Sequence, residues 1–239
     1  MSYSQVKNNS PLNEFIAGAK GIVPLIIGAI PFGIIFGTLA QSSGLSFGGA
    51  MAMSAFVFAG SAQFIALGLL AVGTALPVII LTTFVVNLRH LLYSLSLVPH
   101  VQNLSPVWKL ILGFWLTDEA FAVAINRYNQ SDRSRYKHWY YFGAAVFMYV
   151  NWQICTFIGL TLGHLIPDAA SWGLDFAMLV TFIGMVIPYL KNKPMITTVV
   201  ISGITALLTR NLPHQSGLIV AATAGIIAGM IVEKKTSRE

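Results

Sequence analysis

Between Lys20 and Arg89 the chain runs for 68 residues without one Asp, Glu, Lys or Arg. A water-soluble domain carries charge on roughly a quarter of its residues. Here charged residues make up 9% and apolar or aromatic residues 56%. That balance excludes a soluble globular domain and, through the apolar content, a disordered chain. The single cysteine, Cys155, excludes a disulfide scaffold. A net charge of +6 would fit a nucleic-acid binder, but the basic residues sit in short loops between apolar runs. No nucleic acid is expected as a partner. The chain reads as all-α, because only helices or closed barrels satisfy their backbone inside a lipid bilayer.

A helix needs about 20 apolar residues to cross the roughly 30 Å hydrocarbon core. Eight segments qualify as transmembrane: 21–40, 48–73, 77–98, 107–125, 138–162, 174–190, 195–209 and 216–232. The last two are the shortest. With the N-terminus inside, Lys7, Lys20, Arg127, Arg133, Arg135, Lys137, Lys191, Lys193, Lys234, Lys235 and Arg238 face the cytoplasm. Only Lys109 and Arg210 fall outside, so for a plasma membrane the positive-inside rule puts both termini in the cytoplasm. The expected organisation is a cytoplasmic segment (1–20), a transmembrane domain (21–232) and a cytoplasmic tail (233–239). The basic loop 126–137 reads as an ordinary topology signal.

A charged side chain at the bilayer centre is costly, about 2.5–3.5 kcal/mol even on the lenient insertion scale, so such residues tend to be functional. Arg89 lies twelve residues after Pro77 and ten before Pro99, near mid-depth in the third segment. Asn87, His90, Tyr93, Ser94 and Ser96 surround it. Asp118 and Glu119 stand near mid-depth in the fourth, and the sequence leaves open which of them pairs with Arg89. In the second, Gly60, Ser61 and Gln63 at the same depth predict a helix break whose freed backbone groups must face a cavity or protein. Pro31-Phe32-Gly33 invites a kink in the first segment, and Asn151-Trp152-Gln153 forms a further central polar cluster. Gly33/Gly37, Gly159/Gly163 and Gly225/Gly229 have the GxxxG spacing of close helix packing.

The sequence has no Walker A, HExxH or paired CxxC. The adjacent carboxylates of Asp118 and Glu119 point about 100° apart, which does not suit a two-carboxylate hydrolase. His100, His138, His164 and His214 lie at segment ends, so no metal or cofactor is expected. Discontinuous segments with mid-depth polar clusters fit a secondary transporter. Half-helix amides at Gly60–Ser61, or Arg89, would attract an anionic group, and Asp118 or Glu119 an ammonium. Phe58, Phe64, Phe114 and Met148 would wall an apolar side chain. A membrane binding or assembly subunit without its own pathway is the alternative.

Phe58-Ala-Gly-Ser-Ala-Gln-Phe64, Val86-Asn-Leu-Arg-His-Leu-Leu-Tyr-Ser-Leu-Ser-Leu97 and Thr117-Asp-Glu-Ala-Phe-Ala122 resemble the signature segments of the AzlC family. Gly173-Leu-Asp-Phe-Ala177 and Pro188-Tyr-Leu-Lys191 are similar to its later half. These proteins are the large subunits of bacterial branched-chain amino acid exporters. The resemblance implies proton-driven export of leucine, isoleucine, valine and related amino acids, with a small AzlD-type membrane partner. Leu45-Ser-Phe47 against Leu174-Asp-Phe176 is a weak sign of an inverted repeat.

Overall fold

The structure, a computed structural model, describes residues 10–132, 134–165, 190–212 and 216–236, together with Ile183 and Ile187. Most of the expected sixth segment (174–190), the motif 173–177, and Lys7, Arg133, His214 and Arg238 lie outside the described residues. Every regular element among the described residues is helical. They are α1 (Pro11–Gly21), α2 (Val23–Ser42), α3 (Phe47–Phe56), α4 (Gly60–Ala71), α5 (Leu76–Asn87) and α6 (Arg89–Val101). After these come α7 (Pro106–Phe114), α8 (Asp118–Tyr128), α9 (Lys137–Leu162), α10 (Lys193–Leu208) and α11 (Ser216–Thr236). Among the described residues three helices are long and apolar enough to cross a membrane: α2, the α5–α6 run Leu76–Val101, and α9. The chain divides into two compact units, Met1–Ala71 with Val86–Ala169, and Val72–Val85 with Ala170–Glu239.

The 26-residue α9 organises the first unit and serves as a ruler for it. Residues on α1 and α2 meet it backbone to backbone. A side chain at Gly18 would strike the Tyr140 carbonyl, and one at Gly143 the Phe15 carbonyl. Further along, a side chain at Gly33 would meet Cys155, at Gly37 the Thr156 carbonyl, and at Gly163 Thr38. Contact positions rise together on both helices, so α2 and α9 run parallel, and α2 continues as helix through Pro31. The first two GxxxG pairs are therefore spent on internal packing, where lipid offers no hydrophobic drive and close backbone approach must hold the helices.

The expected fourth segment does not cross. Trp108, near the start of α7, packs on His138 and Trp139 at the first turn of α9, with ring centroids 4.9 Å away in each case. Tyr141 donates to the Leu112 carbonyl at 2.8 Å, and Trp115 reaches Tyr149 at 5.7 Å. The chain reverses through Trp115–Thr117 and α8 returns: Lys137 donates to the Tyr128 carbonyl at 3.3 Å, and Arg127 lies over the Tyr140 ring. Both ends of α7–α8 thus lie at the N-terminal end of α9, with the apex about halfway along it. At 9 and 11 residues, α7 and α8 are about 14 and 17 Å long, too short to cross. The hydropathy run 107–125 is a re-entrant hairpin, and Lys109 sits at the same end as Lys137 rather than opposite it.

The second expected segment divides likewise. Along α3 the chain passes from Phe47, against Phe157, to Ser54, whose hydroxyl is 2.6 Å from that of Thr156. At Phe58 the backbone adopts a φ of 41°, the left-handed region that a bulky residue enters only when its surroundings hold it there. Gln63 then reaches back to the Ser54 hydroxyl at 3.4 Å, and Phe64 meets Phe36. Nine residues of continuous helix would put Ser54 and Gln63 about 14 Å apart, so α4 folds back toward α3. The break stands at Val57–Ala59, just before the predicted Gly60–Ser61.

In the second unit, α10 and α11 form an antiparallel pair. Gly217 abuts the Thr209 carbonyl, Gly225 abuts Ser202, and Gly229 abuts Thr198. The third GxxxG pair, Gly225/Gly229, is also a packing device.

Candidate functional site

The helix breaks place three half-helix starts in the first unit: Gly60 on α4, Arg89 on α6 and Asp118 on α8. On α8 the Thr117 hydroxyl accepts from the Ala120 amide at 3.2 Å, a sequence-readable N-cap. Asp118 and Glu119 occupy the first turn, where free amides and the helix dipole favour negative charge. Arg89 Nη2 lies 3.1 Å from Asp118 Oδ2, and Tyr93 donates its hydroxyl to Asp118 Oδ1 at 2.6 Å. The Tyr93 ring stacks on Phe121 at 4.5 Å. Both oxygens of Asp118 are thus engaged, while 22% of the Arg89 side chain and 15% of the Asp118 side chain stay accessible. Glu119 has Asp118 and Arg89 as its charged neighbours. At the step between α5 and α6 the Asn87 carbonyl accepts from His90 Nδ1 at 3.1 Å, which makes that nitrogen the protonated one.

The α3–α4 apex is uncharged. Two carbonyls left open at the end of α3 are taken by α9 side chains: Gln153 donates to Ser54 O at 2.9 Å and Tyr149 to Ala55 O at 3.1 Å. Gly60 lies under the Trp152 ring, and a Cβ there would stand 3.1 Å from it. Tyr149 also joins the two apices, with its ring 4.9 Å from Phe58, 5.7 Å from Trp115 and 6.4 Å from Phe114.

Buried polar atoms without a hydrogen-bond partner gather around these breaks: Ser61 Oγ, Gln63 Oε1, Asn87 Oδ1, Arg89 Nε, Trp115 Nε1, Asn151 Nδ2 and Trp152 Nε1. Native interiors leave few such groups. Donors and acceptors are both present, as a polar ligand or water would need. No cluster of three metal-ligating side chains occurs among the described residues.

Of the residues singled out in the sequence, Arg89, His90, Asp118 and Glu119 come together, and Asn87 contributes its carbonyl to His90. Gly60, Ser61 and Gln63 belong to the α3–α4 apex with Ser54, Thr156, Trp152 and Gln153. Sequence reasoning missed the roles of Ser54, Thr156, Thr117 and Tyr149. It also missed that Arg127, at the start of the basic loop 126–137, is buried. Arg127 forks onto Glu14, which is itself buried, and further bonds reach Gln130 at 3.1 Å and Asp132 at 2.9 Å. Ser134 donates to Glu14 at 2.7 Å and Lys137 pairs with Asp132 at 2.9 Å. Burial would raise the Glu14 carboxyl, but the bonds from Arg127 and Ser134 and the Arg127 charge outweigh it and hold it below its ordinary value. Asp132 is held down to about 2, chiefly by its bond from Arg127. This clamp ties α1 to the foot of α8. A glutamate and an arginine 113 positions apart carry no local signal of their pairing.

An all-helical membrane protein with re-entrant half-helices, an ion pair at their apices and unpartnered polar groups beside it has the architecture of a membrane transporter. The chain belongs to the AzlC family, whose profile, described as "AzlC protein", matches residues 24–166. It is 28% identical over 223 residues to the "Inner membrane protein YgaZ" of Escherichia coli K12, covering 91% of this chain and 88% of that protein. A 30% identity over 173 residues, 72% of this chain and 66% of the relative, links it to the "Branched-chain amino acid transport protein AzlC" of Bacillus subtilis 168. An uncharacterized membrane protein of Archaeoglobus fulgidus is 34% identical over 212 residues, 86% of this chain and 91% of that one. No solved structure matches. The family membership carries a membrane transport role.

Proposed function

We propose that this chain exports branched-chain and related apolar amino acids across the bacterial inner membrane. Export is driven by the proton gradient, with a small AzlD-type subunit as partner. The observation that carries the reading is the pairing of two unlike apices on Tyr149, one neutral and offering α4 amides, the other bearing two carboxylates on α8. A zwitterion needs both. Its carboxylate goes to the start of α4 and the Ser61 hydroxyl, since Arg89 is already neutralised by Asp118. The ammonium faces the α8 carboxylates, and Phe58, Phe114, Met148 and Tyr149 wall the apolar side chain. The name of the Bacillus subtilis relative favours this substrate class.

Both termini lie in the cytoplasm, α7–α8 enters from the cytoplasmic face, and α3–α4 enters from the opposite one. Lys109 then joins the cytoplasmic basic residues, which strengthens the charge asymmetry. Residues 21–232 form the membrane domain between a cytoplasmic segment and tail. The assembly-subunit alternative drew on GxxxG spacings, and those glycines pack within the chain.

Growth on toxic branched-chain analogues or dipeptides tests the proposal. Resistance should appear when this gene and its small partner are expressed together. Equal sensitivity with and without the pair, at verified membrane levels, overturns it.

A further inference from the structure

Charge at the α8 apex points to how a proton and an amino acid are exchanged. Two carboxylates face one cation there. Arg89 cancels one charge, and the geometry assigns that charge to Asp118, which also accepts from Tyr93. Tyr93 is fixed in turn by its stack on Phe121. No ion pair to Glu119 occurs among the described residues, although Thr117, Asp118 and Arg89 are its neighbours. An ionised Glu119 would therefore leave one uncompensated negative charge at mid-depth, which a low-dielectric site does not tolerate. A single positive charge must accompany it: a proton, or the ammonium of a bound amino acid.

We infer that Glu119 is held alternately by the coupling proton and by the substrate ammonium, while Asp118 stays in a fixed pair with Arg89 and Tyr93. This rests on the amino acid export reading and specifies its coupling. The two occupants compete for one carboxylate. Binding an amino acid from the cytoplasm expels one proton inward, and its release outside lets one proton return to Glu119. The exchange is one proton for one zwitterion, with no other reactant. Tyr93 is a positioning residue in this scheme, because it acts through Asp118.

The other titratable group at the apex is His90, on α6, which lies edge-on to Tyr93 and has Arg89 and Asp118 as its charged neighbours. From α9, Tyr141 packs in one cluster with Ala120, Phe121 and Tyr93, its hydroxyl donating to the Leu112 carbonyl. The test must therefore separate Glu119 from His90.

Valine is added to the purified full chain, with any subunit that accompanies it, in weakly buffered detergent solution. Proton release and valine Kd are then measured against pH. Wild type should release about one proton per valine where Glu119 is mostly protonated, and Kd should rise about tenfold per unit fall in pH there. Glu119→Gln, with His90 intact, should release none, bind more weakly and show a flat Kd. Glu119→Asp should restore both signatures, with the pH range displaced. Valine binding by wild type without proton release overturns the inference while leaving export standing. Proton release retained in Glu119→Gln overturns it in favour of another group. No valine binding by wild type at all counts against the export reading itself, and the inference falls with it. If Glu119→Gln does not bind measurably, wild type and Glu119→Asp decide between these outcomes.

Discussion

The two re-entrant hairpins share a plan and differ in chemistry. Both are built of half-length helices meeting near the middle of α9. At the α3–α4 apex the chain turns through a left-handed Phe58, and neutral α9 side chains take up the loose carbonyls. At the α7–α8 apex the turn is capped by Thr117 and followed at once by two acids. Helix starts attract anions in both places, but in α8 the chain supplies its own, and in α4 it supplies none. In the proposed function the first apex receives the substrate's anionic end and the second its cationic end. Their feet differ as well: α7–α8 is pinned by the Glu14–Arg127 clamp.

The comparison fails altogether if either hairpin crosses. With Cys155 buried, single cysteines report topology cleanly. Asn103→Cys and Asn129→Cys, flanking α7–α8, should react with an impermeant thiol reagent from one face, and Ser43→Cys and Ala71→Cys from the other. Labelling of Asn103→Cys and Asn129→Cys from opposite faces would restore a full crossing. Next in size is Arg89→Gln, which leaves both α8 acids without their cation. Efflux of labelled valine should fall about 100-fold, some 2.7 kcal/mol, with insertion intact. Normal efflux would remove the ion pair from the site.

Glu14→Gln tests the foot rather than the apex. It removes one of the two carboxylates that hold the buried guanidinium, leaving Asp132, and should cost about 2 kcal/mol, read as a lower melting temperature in detergent. At the neutral apex, Ser61→Ala removes one hydroxyl and should raise the KM for valine about fivefold, close to 1 kcal/mol, with little change in kcat. The smallest effect is a pH dependence of the foot. The Asp132 carboxyl is depressed, so its contribution is complete above the ordinary value near 3.8 and is lost as pH falls through about 2. Melting temperature should decline over that acid interval, and less steeply in Asp132→Asn.

What the sequence made legible follows from what is locally encoded. Apolar runs report membrane class, and the cost of Arg89, Asp118 and Glu119 in lipid reports that they gather at one place. The break before Gly60 was readable because Gly, Ser and Gln interrupt an apolar run. Hydropathy cannot tell a crossing helix from two half-helices folded together, since both are apolar throughout, and so runs 48–73 and 107–125 looked like spans. The turns that divide them depend on Tyr149, Gln153 and Tyr141, all on α9 and distant in sequence. Arg127 looked like a loop charge for the same reason: its partner lies far upstream.

That last separation has a bearing on how the protein is made. Glu14 emerges from the ribosome 113 residues before Arg127. At bacterial elongation rates of about 5–20 residues per second, α1 waits roughly 6–23 s for its partner. The clamp closes only after α8 has doubled back and its connection to α9 has formed. Among the described helices the earliest one made, α1, is thus latched only once α8 has been laid down.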